Sequence, residues 1–507
     1  MKQTAPASVP DTPAASPAAT IHAQIYGRFR AMIETGQLKP GQRVSSLRAL
    51  AEELGVARGT VQVAFDRLLG EGYLVARGPA GTFVAEHITA APARARAARK
   101  APAVTTPLIA AGTPPKPARP AAPRFATSQD ATEVVIESGG GAPAMLQLGV
   151  PALDEFPRKL WTRLMTGLVR SVNTLNRPAP FGYEPLREAL ATYLHSSRGI
   201  DLRPAQVFVV PAYTAGLELA VNALELRGGK GAWAESPGYP PTAQLLRRLG
   251  LPPLFVPVDE CGVDVEYGIA HHGDACLAVV TPSHQSPTGV PLTLQRRVAL
   301  LDWAARRGAW IVEDDYDGEF RYRGHPLPAL KSLDTCQRVI YCGTLSKVMF
   351  PGLRLGYVVV PESQIEAFEV AIARATFGGC PELMQAAVAE FITAGHFSRH
   401  IKRMRTLYAR RRTLLADALR AYEPHGFRVQ LEDGGMHLLL DVPDDRDDIA
   451  MARLAQEAGF GIHSLTGWRR GKPGRRALLL GFTNVATQAE AERVVTKLMR
   501  ALGEPRT

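Results

Sequence analysis

Short apolar runs alternate with longer amphipathic stretches from about residue 145 onward. Most of the runs lead into a polar loop and then a pattern of helical spacing. The candidate strands are VFVV (207–210), AWAE (232–235), LAVV (277–280), WIVE (310–313) and VIYC (339–342). Repeated strand–loop–helix units are typical of a mostly parallel sheet with helices on both faces. We therefore predict an α/β domain over residues 144–507, with ligands bound beyond the carboxyl ends of its strands.

The last part of this domain has a different pattern. Residues 360–507 combine long helical stretches with two further apolar runs, LLLDV (438–442) and ALLLGF (477–482). This mixture predicts a smaller C-terminal α/β subdomain.

Residues 21–86 have a helical periodicity of their own. Ile25, Phe29 and Ile33 recur at four-residue spacing, which places them on one apolar helix face. Further apolar positions predict two more helices: Leu47, Leu50 and Leu54 mark the second, and Val61, Ala64, Phe65 and Leu68 mark the third. After the third helix, Leu74 and the segment 82–84 flank a short hairpin. Three helices and a hairpin form a winged helix, whose third helix enters the major groove of DNA.

Two segments lack the apolar side chains that folding requires. Residues 1–20 are small, polar and rich in proline, without the apolar core of a signal peptide, so we predict a disordered tail. Residues 87–143 are rich in Ala, Pro, Arg and Gly and predict a linker. No apolar run approaches the ~20 residues that span a bilayer, so we expect no membrane segment.

Composition narrows the choice of partner and compartment. The net charge of +11 and the pI near 9.5 favour a polyanionic partner such as nucleic acid, although a general bias toward arginine has the same effect. The five cysteines are odd in number and form no CxxC pair, which indicates a reducing cytoplasm without disulfides or a zinc site. His271 and His272 lack a third ligand at metal spacing, so no metal is expected.

A lysine and its surroundings carry the candidate chemistry. Lys347 ends the stretch GTLSK (343–347), and Asp314 and Tyr316 follow the apolar run at 310–313. Pyridoxal 5'-phosphate (PLP) needs an amine for its aldehyde, a carboxylate for its pyridine nitrogen, donors for its phosphate and a flat neighbour for its ring. Lys347 can supply the amine, because a partly desolvated lysine forms Schiff bases readily. Asp314 can hold the ring nitrogen, and Tyr316 the 3-hydroxyl.

The phosphate and the ring have candidate ligands as well. Ser346, Thr344 and Arg354 can hold the phosphate, with Arg354 suited to a bidentate grip. Tyr239, in ESPGYP, can stack on the ring, although core packing explains it equally well. Each residue alone has an ordinary structural interpretation, but the complete set in this order favours a PLP site.

The N-terminal segment resembles the GntR family of bacterial transcription factors. The resemblance rests on QIYGRFRAMIETGQLKPG, SSLRALAEELGVARGTVQVAFDRLLGEGYL and GTFV. It implies that DNA is contacted by Arg48, Arg58, Gly59 and Thr60. Relatives usually have Pro at the position of Ser45 and a capping Ser at that of Ala57, and loss of such a cap costs on the order of 1 kcal/mol. A different DNA site is therefore expected, with the fold retained.

From residue 151 onward the chain resembles fold-type I PLP enzymes of the aspartate aminotransferase group. The resemblance rests on FGYEPLREAL, WAESPGYP, TPSHQSPTG, IVEDDYDGEFRY, GTLSK and PGLRLGY. With the winged helix, the whole chain resembles MocR/GabR-type regulators, in which an aminotransferase-like domain senses a small molecule. This resemblance implies a head-to-tail homodimer with PLP near the interface. His284, in the TPSHQ turn, is interpreted as a support for that loop.

Three departures from the family pattern concern ligands of the site. The first phosphate loop has Ala212, Tyr213 and Thr214 where relatives often have Gly, a small residue and Gln. Ala and Tyr crowd a phosphate there, while the Thr214 hydroxyl can still donate. Arg177 stands where a partner-subunit tyrosine approaches the phosphate in aminotransferases. Gly467 stands where relatives hold a substrate carboxylate with arginine. The nearby arginines that can replace it are Arg469, Arg470, Arg475 and Arg476.

Together these features predict a cytoplasmic, DNA-binding transcriptional regulator. Its PLP-binding domain senses a small amine, an amino acid or PLP itself, through displacement at Lys347, and its partner is a double-stranded DNA operator. One alternative is an active aminotransferase with an accessory DNA-binding module. Another is a DNA-binding protein whose second domain only dimerises.

Overall fold

The computed structural model describes most of the chain beyond residue 141 and parts of the N-terminal segment. The described residues are 25–26, 29–30, 32–33, 38–42, 44, 47, 50–51, 58–70, 73–76, 82–85, 142–171, 178–322, 328–375 and 379–504. The predicted tail, nearly all of the predicted linker, and the candidate ligands Arg48 and Arg177 lie outside them.

The N-terminal segment folds around the apolar positions that the sequence indicated. Helix α1 (Arg58–Gly70) precedes strands β1 (Leu74–Ala76) and β2 (Thr82–Val84), which pair antiparallel. Val61, Phe65 and Leu68 of α1 are buried against Ile25, Phe29 and Ile33. The winged helix is confirmed in its third helix, its hairpin and its core.

The first part of the C-terminal region alternates strands and helices. The helices are α2 (Arg158–Val169), α3 (Glu184–Arg198), α4 (Tyr213–Ala223), α5 (Pro240–Arg248), α6 (Val265–His272) and α7 (Leu294–Arg307). The strands are β3 (Val207–Val210), β4 (Ala232–Ser236), β5 (Pro253–Asp259), β6 (Gly262–Val263), β7 (Leu277–Val280), β8 (Trp310–Asp315), β9 (Val339–Thr344) and β10 (Gly356–Val359).

These eight strands form one sheet in the order β3-β10-β9-β8-β7-β4-β5-β6. The neighbours from β9 to β5 are parallel, as predicted, whereas β10 lies antiparallel between β3 and β9. The sequence placed Asp314 beyond the strand at 310–313, and this was wrong: β8 continues to Asp315, because its pairing with β9 extends to Gly343.

The remaining residues form a smaller α/β unit, as predicted. Its strands β11 (Arg428–Gln430), β12 (His437–Asp441), β13 (His463–Ser464) and β14 (Ala477–Gly481) form an antiparallel sheet in the order β11-β12-β14-β13. The helices of this region are α8 (Ile365–Arg374), α9 (Glu382–Thr393), α10 (His396–Arg420), α11 (Asp448–Glu457), α12 (Leu465–Trp468) and α13 (Gln488–Ala501). Among the described helices, none combines the length and the apolar character that crossing a membrane requires.

Candidate cofactor site

A pocket opens where strands β4, β7 and β8 end. Its empty space is about 740 Å³, part of it open to solvent. The three strands supply Glu235, Thr281 and Asp314, either from their last residues or from the position that follows, as expected at the carboxyl edge of a parallel sheet. The lining also includes Tyr213, Tyr239, Trp468, Arg247 and Arg470.

Asp314 is the acidic residue of the EDDYD stretch that faces this pocket. Side chains alternate along a strand, so Glu313 and Asp315 point to the opposite face. There Glu313 accepts hydrogen bonds from two backbone N–H groups at 330–331. Asp315 lies 2.9 Å from Nε of Arg198 and accepts a hydrogen bond from the Tyr341 hydroxyl. The two flanking carboxylates thus have structural partners, and Asp314 is directed toward the pocket.

The environment of Asp314 suits a cationic ligand. Burial raises the pKa of its carboxyl well above the usual range, and the neighbouring carboxylates of Asp315, Glu235 and Asp317 raise it further, against the opposing effect of Lys347. A buried carboxylate among other carboxylates is stabilised by a positive charge placed beside it. The protonated pyridine nitrogen of PLP carries such a charge, so the carboxylates present here fit this cofactor.

Lys347 follows strand β9 and is half-buried. Its amine lies against Gly149, where an added Cβ would overlap Nζ. Gly149 has φ +65°, so both its backbone conformation and the approach of the lysine require glycine. The sequence alone did not reveal this residue, because it lies about 200 positions from the lysine that it accommodates.

Tyr239 lies at the pocket and not in the core. It immediately precedes α5, and 38% of its surface is exposed. Its ring centroid is 5.9 Å from that of Trp468 and 6.4 Å from that of Tyr213. This position favours the stacking role over the alternative of core packing.

The candidate phosphate ligands come from three segments. Tyr213 and Thr214 form the first turn of α4, a helix of eleven residues whose N-terminal N–H groups suit an anion. The Tyr213 hydroxyl lies 2.9 Å from Oγ1 of Thr242. Its ring also lies next to that of Tyr239. Thr344 and Ser346 are half-buried beside Lys347, and the backbone N–H of Ser346 donates to Oγ1 of Thr344. Arg354 is exposed, with φ +50°.

Glu235 is a pocket residue that the sequence analysis missed. Its carboxylate accepts hydrogen bonds from the backbone N–H and the hydroxyl of Thr281 and from the amide of Gln285. Burial outweighs these three donors and raises the pKa of Glu235 to about 7. A glutamate at the end of a predicted strand was the available signal, but its burial depends on partners 46 and 50 positions away.

Tyr316 lies beside the TPSHQ turn. Its hydroxyl is 2.9 Å from Nδ1 of His284 and hydrogen bonds to Ser286. Burial raises the pKa of Tyr316 well above the usual range, so the phenol is protonated at neutral pH.

Of the four arginines proposed to replace a substrate-binding arginine, Arg470 alone lines the described pocket. Its Nη1 donates to the carbonyls of Gly467 and Arg469, which holds the guanidinium near Trp468. Arg475 pairs with Asp441, and Arg476 donates to carbonyls at 444 and 446.

Three of the four DNA-contact candidates, Arg58, Gly59 and Thr60, lie in the first turn of α1, which begins at Arg58. Thr60 is half-buried, and one face of α1 packs in the core of the N-terminal segment. In winged helices generally, the N-terminal end of the third helix lies nearest the base edges.

Comparison with known proteins agrees with both parts of the chain. Residues 21–84 match the family model "Bacterial regulatory proteins, gntR family", and residues 153–471 match "Aminotransferase class I and II". These matches define a DNA-binding regulator with an aminotransferase-like domain, a class whose cofactor is PLP.

Curated relatives identify the family more closely. The probable rhizopine catabolism regulatory protein MocR of Rhizobium meliloti is 34% identical over 92% of this chain and 90% of its own length. The pyridoxine biosynthesis regulator PdxR of Corynebacterium glutamicum is 30% identical over 91% of this chain and 92% of its own length. The chain belongs to this family of MocR-type transcriptional regulators.

Solved structures match the aminotransferase-like domain. The α-aminoadipate aminotransferase LysN of Thermus thermophilus is 26% identical with a TM-score of 0.63, over 71% of this chain and 92% of that one. The kynurenine aminotransferase of Pyrococcus horikoshii is 25% identical with a TM-score of 0.63, over 72% and 91%. The likeness confirms the predicted fold-type I architecture.

Proposed function

We propose that this regulator holds PLP through Lys347 and converts binding of a small molecule at that site into a change of DNA affinity. The observation that carries the proposal is the buried carboxylate of Asp314, which shares its pocket with an aromatic side chain and lies within the electrostatic influence of Lys347. In this arrangement Asp314 holds the ring nitrogen, Tyr316 the 3-hydroxyl and Tyr239 the ring face. The cofactor supplies an electrophilic carbon that amines attack.

The phosphate would be held on the other side of the pocket. Ser346, Thr344 and Arg354 act together with the N-terminus of α4, where Thr214 and Tyr213 lie. Arg177 reaches the phosphate from the partner subunit of a head-to-tail homodimer.

Arg470 gives the effector a chemical class. The candidates are an amine, an amino acid and PLP itself, and all three can displace or occupy the position at Lys347. A guanidinium in the pocket, beside Trp468 and Arg247, favours a molecule that carries a carboxylate as well as an amine. We therefore place amino acids first among the three.

The DNA-binding heads would read an operator in the cytoplasm. Arg58, Gly59 and Thr60 at the start of α1, together with Arg48, make the contacts. Two heads in a homodimer bind two half-sites, so the affinity falls steeply with salt, as several phosphate contacts per head require.

The test measures operator binding by fluorescence anisotropy. Duplexes are first selected from a random library by the full-length protein loaded with PLP. The affinity is then measured with and without PLP, and across a panel of amines and amino acids. We expect at least one of these ligands to change the affinity, because an effector that binds one arrangement of the heads better shifts the population toward it.

A matched pair of lysine variants completes the test. In Lys347→Ala the response to ligand should be lost while binding of DNA remains. Lys230→Ala, at an exposed lysine that pairs with Asp274, should respond as the wild type does. An affinity that no ligand alters in the wild type would refute the sensing function.

An active aminotransferase is the second candidate, since Lys347 and Asp314 are both present. Continuous conversion of an amino acid and a keto acid at about 1–1000 per second would support it. Traces of a half-reaction would favour sensing. Absence of any PLP uptake would favour a domain that only dimerises.

A further inference from the structure

A buried imidazole contacts Tyr316, the tyrosine proposed above to hold the 3-hydroxyl of the cofactor. Nδ1 of His284 is 2.9 Å from the Tyr316 hydroxyl and 3.1 Å from Oδ1 of Asp317. His284 and Asp317 are 7% and 1% exposed, so water does not separate or screen them effectively. The sequence assigned His284 to loop support, but these contacts connect it to Tyr316.

Two glycines from two segments make room for this ring. A Cβ at Gly435 would overlap Cε1 and Nε2 of His284, and one at Gly289 would lie 3.0 Å from Nε2. Gly289 and Gly435 have φ +79° and +86°, conformations that favour glycine. The ring is therefore held in one orientation, with Nδ1 directed at Tyr316 and Asp317.

Asp317 determines which hydrogens the imidazole carries. Among the described residues, neither oxygen of its buried carboxylate has a hydrogen-bond partner, so its contact with Nδ1 of His284 is electrostatic. A lone pair on Nδ1 facing that carboxylate at 3.1 Å would be repelled, whereas an N–H is attracted. Nδ1 consequently carries hydrogen, in the neutral ring as well as in the imidazolium.

Together, the charged groups around His284 raise the pKa of its imidazole. Burial lowers the pKa of His284, but Asp317 and Glu432 outweigh burial and the opposing Arg321, and the pKa is raised. His437, whose ring centroid is 5.9 Å away, has a pKa lowered by burial and by His284 itself. The imidazolium form of His284 is thus more stable than that of a free imidazole.

We propose that His284 and Asp317 are positioning residues for Tyr316: Asp317 keeps a hydrogen on Nδ1 of His284, so the Tyr316 hydroxyl cannot donate to this ring and its proton is left for the cofactor. The hydrogen bond with Ser286 lowers the pKa of Tyr316, as expected when Ser286 is the donor, so it does not compete for that proton. We call this arrangement the Tyr316–His284–Asp317 relay. It rests on the proposed placement of the cofactor at Tyr316, and it gives the TPSHQ turn a function beyond loop support.

The relay makes a measurable prediction for the protein loaded with PLP. A phenol that donates to the 3-oxygen stabilises the anionic form of that oxygen and weakens its hold on the neighbouring proton at the lysine link. The visible absorption band of the bound cofactor reports that proton. Loss of the donor therefore moves the pH midpoint of the band upward.

The experiment titrates the visible band of PLP-loaded protein with pH, and measures the dissociation constant for PLP alongside. We expect the midpoint to rise by about one pH unit in His284→Gln, as for loss of one charge-assisted interaction. Asp317→Asn should shift it in the same direction. His437→Gln, the matched control, removes a half-buried imidazole from the same region. Nε2 of His437 hydrogen bonds to the Pro287 carbonyl and not to Tyr316, so this change should leave the midpoint unchanged.

A double-mutant cycle separates the relay from general electrostatics. In a Tyr316→Phe background, His284→Gln should produce no further shift, because the relay acts through the hydroxyl. A full shift in that background, or a wild-type midpoint in both His284→Gln and Asp317→Asn, would overturn the relay alone. If Tyr316→Phe itself left the midpoint unchanged, the placement of the cofactor would fail with it.

Discussion

Replacing Glu235 by glutamine removes a buried carboxyl group from the cofactor pocket and nearly preserves its shape. The carboxylate has three hydrogen-bond donors, from Thr281 and Gln285, yet burial raises its pKa from 4.5 to about 7. A shift of one pH unit corresponds to about 1.4 kcal/mol. Ionisation of Glu235 therefore lowers the free energy of unfolding of the cofactor-free protein by about 3 kcal/mol.

The direction follows from proton linkage. As pH rises, the unfolded chain releases the proton of Glu235 first, near 4.5, while the folded protein keeps it until about 7. The contribution of Glu235 to the free energy of unfolding therefore falls between these two values and is constant on either side. The glutamine variant lacks this dependence, so its stability relative to wild type should increase by about 3 kcal/mol across that window. The glutamine amide loses at least one hydrogen bond at every pH. This loss lowers the stability of the variant by a constant amount and does not change how the stability difference from wild type depends on pH.

Urea unfolding of the cofactor-free protein at a series of pH values measures this difference. All five tryptophans lie beyond residue 144, so their fluorescence reports the aminotransferase-like domain and not the winged helix. Glu260→Gln, on the exposed surface, serves as the matched control for the amide substitution. A difference between Glu235→Gln and wild type that stayed constant from pH 4 to pH 8 would refute the reasoning.

Three further predictions concern other parts of the chain. Arg58→Ala should weaken operator binding by about 1–3 kcal/mol and reduce its salt dependence, measured by anisotropy in a salt series; unchanged affinity would contradict the assignment of α1. Arg198→Met leaves the buried carboxylates of Asp315 and Glu319 without their cation and should cost about 3–5 kcal/mol in urea unfolding, whereas a loss below 1 kcal/mol would show that water replaces it. Gly435→Ala places an alanine at φ +86° and displaces the His284 ring. It should therefore lower the free energy of unfolding by at least about 1 kcal/mol and raise the pH midpoint of the PLP band. An unchanged midpoint would contradict the inference that Gly435 fixes the orientation of the His284 ring.

The central strands could be predicted because each is a continuous apolar run, as strands buried on both faces are. Strand β5 was missed because Pro253 and Pro257 interrupt its pattern, and β5 tolerates them near the sheet edge, where only the two-residue β6 follows it. Strand β10 was missed because GYVV follows the PGLR turn directly, and a short antiparallel strand needs no intervening helix to reveal it.

The cofactor class could be predicted from Lys347, Asp314, Tyr316 and Tyr239, since each residue type suits a distinct task toward PLP. Their surroundings could not be read, because these depend on residues that meet only after folding. Gly149 beside Lys347 is one example. The imidazole of His284 in contact with Tyr316, with Asp317 beside it, is another, since a histidine in a turn has no sequence signal for the direction of its ring.

The proposed covalent link between PLP and Lys347 is tested most directly by one absorption spectrum. Pure full-length protein and Lys347→Ala are reconstituted with PLP, freed of excess cofactor and compared by visible absorption, with Lys230→Ala as control. We predict a visible band from a lysine-bound cofactor in the wild type and in the control, and its absence in Lys347→Ala. Equal bands in all three proteins, or no band in the wild type, would contradict the assignment of this pocket as a PLP site.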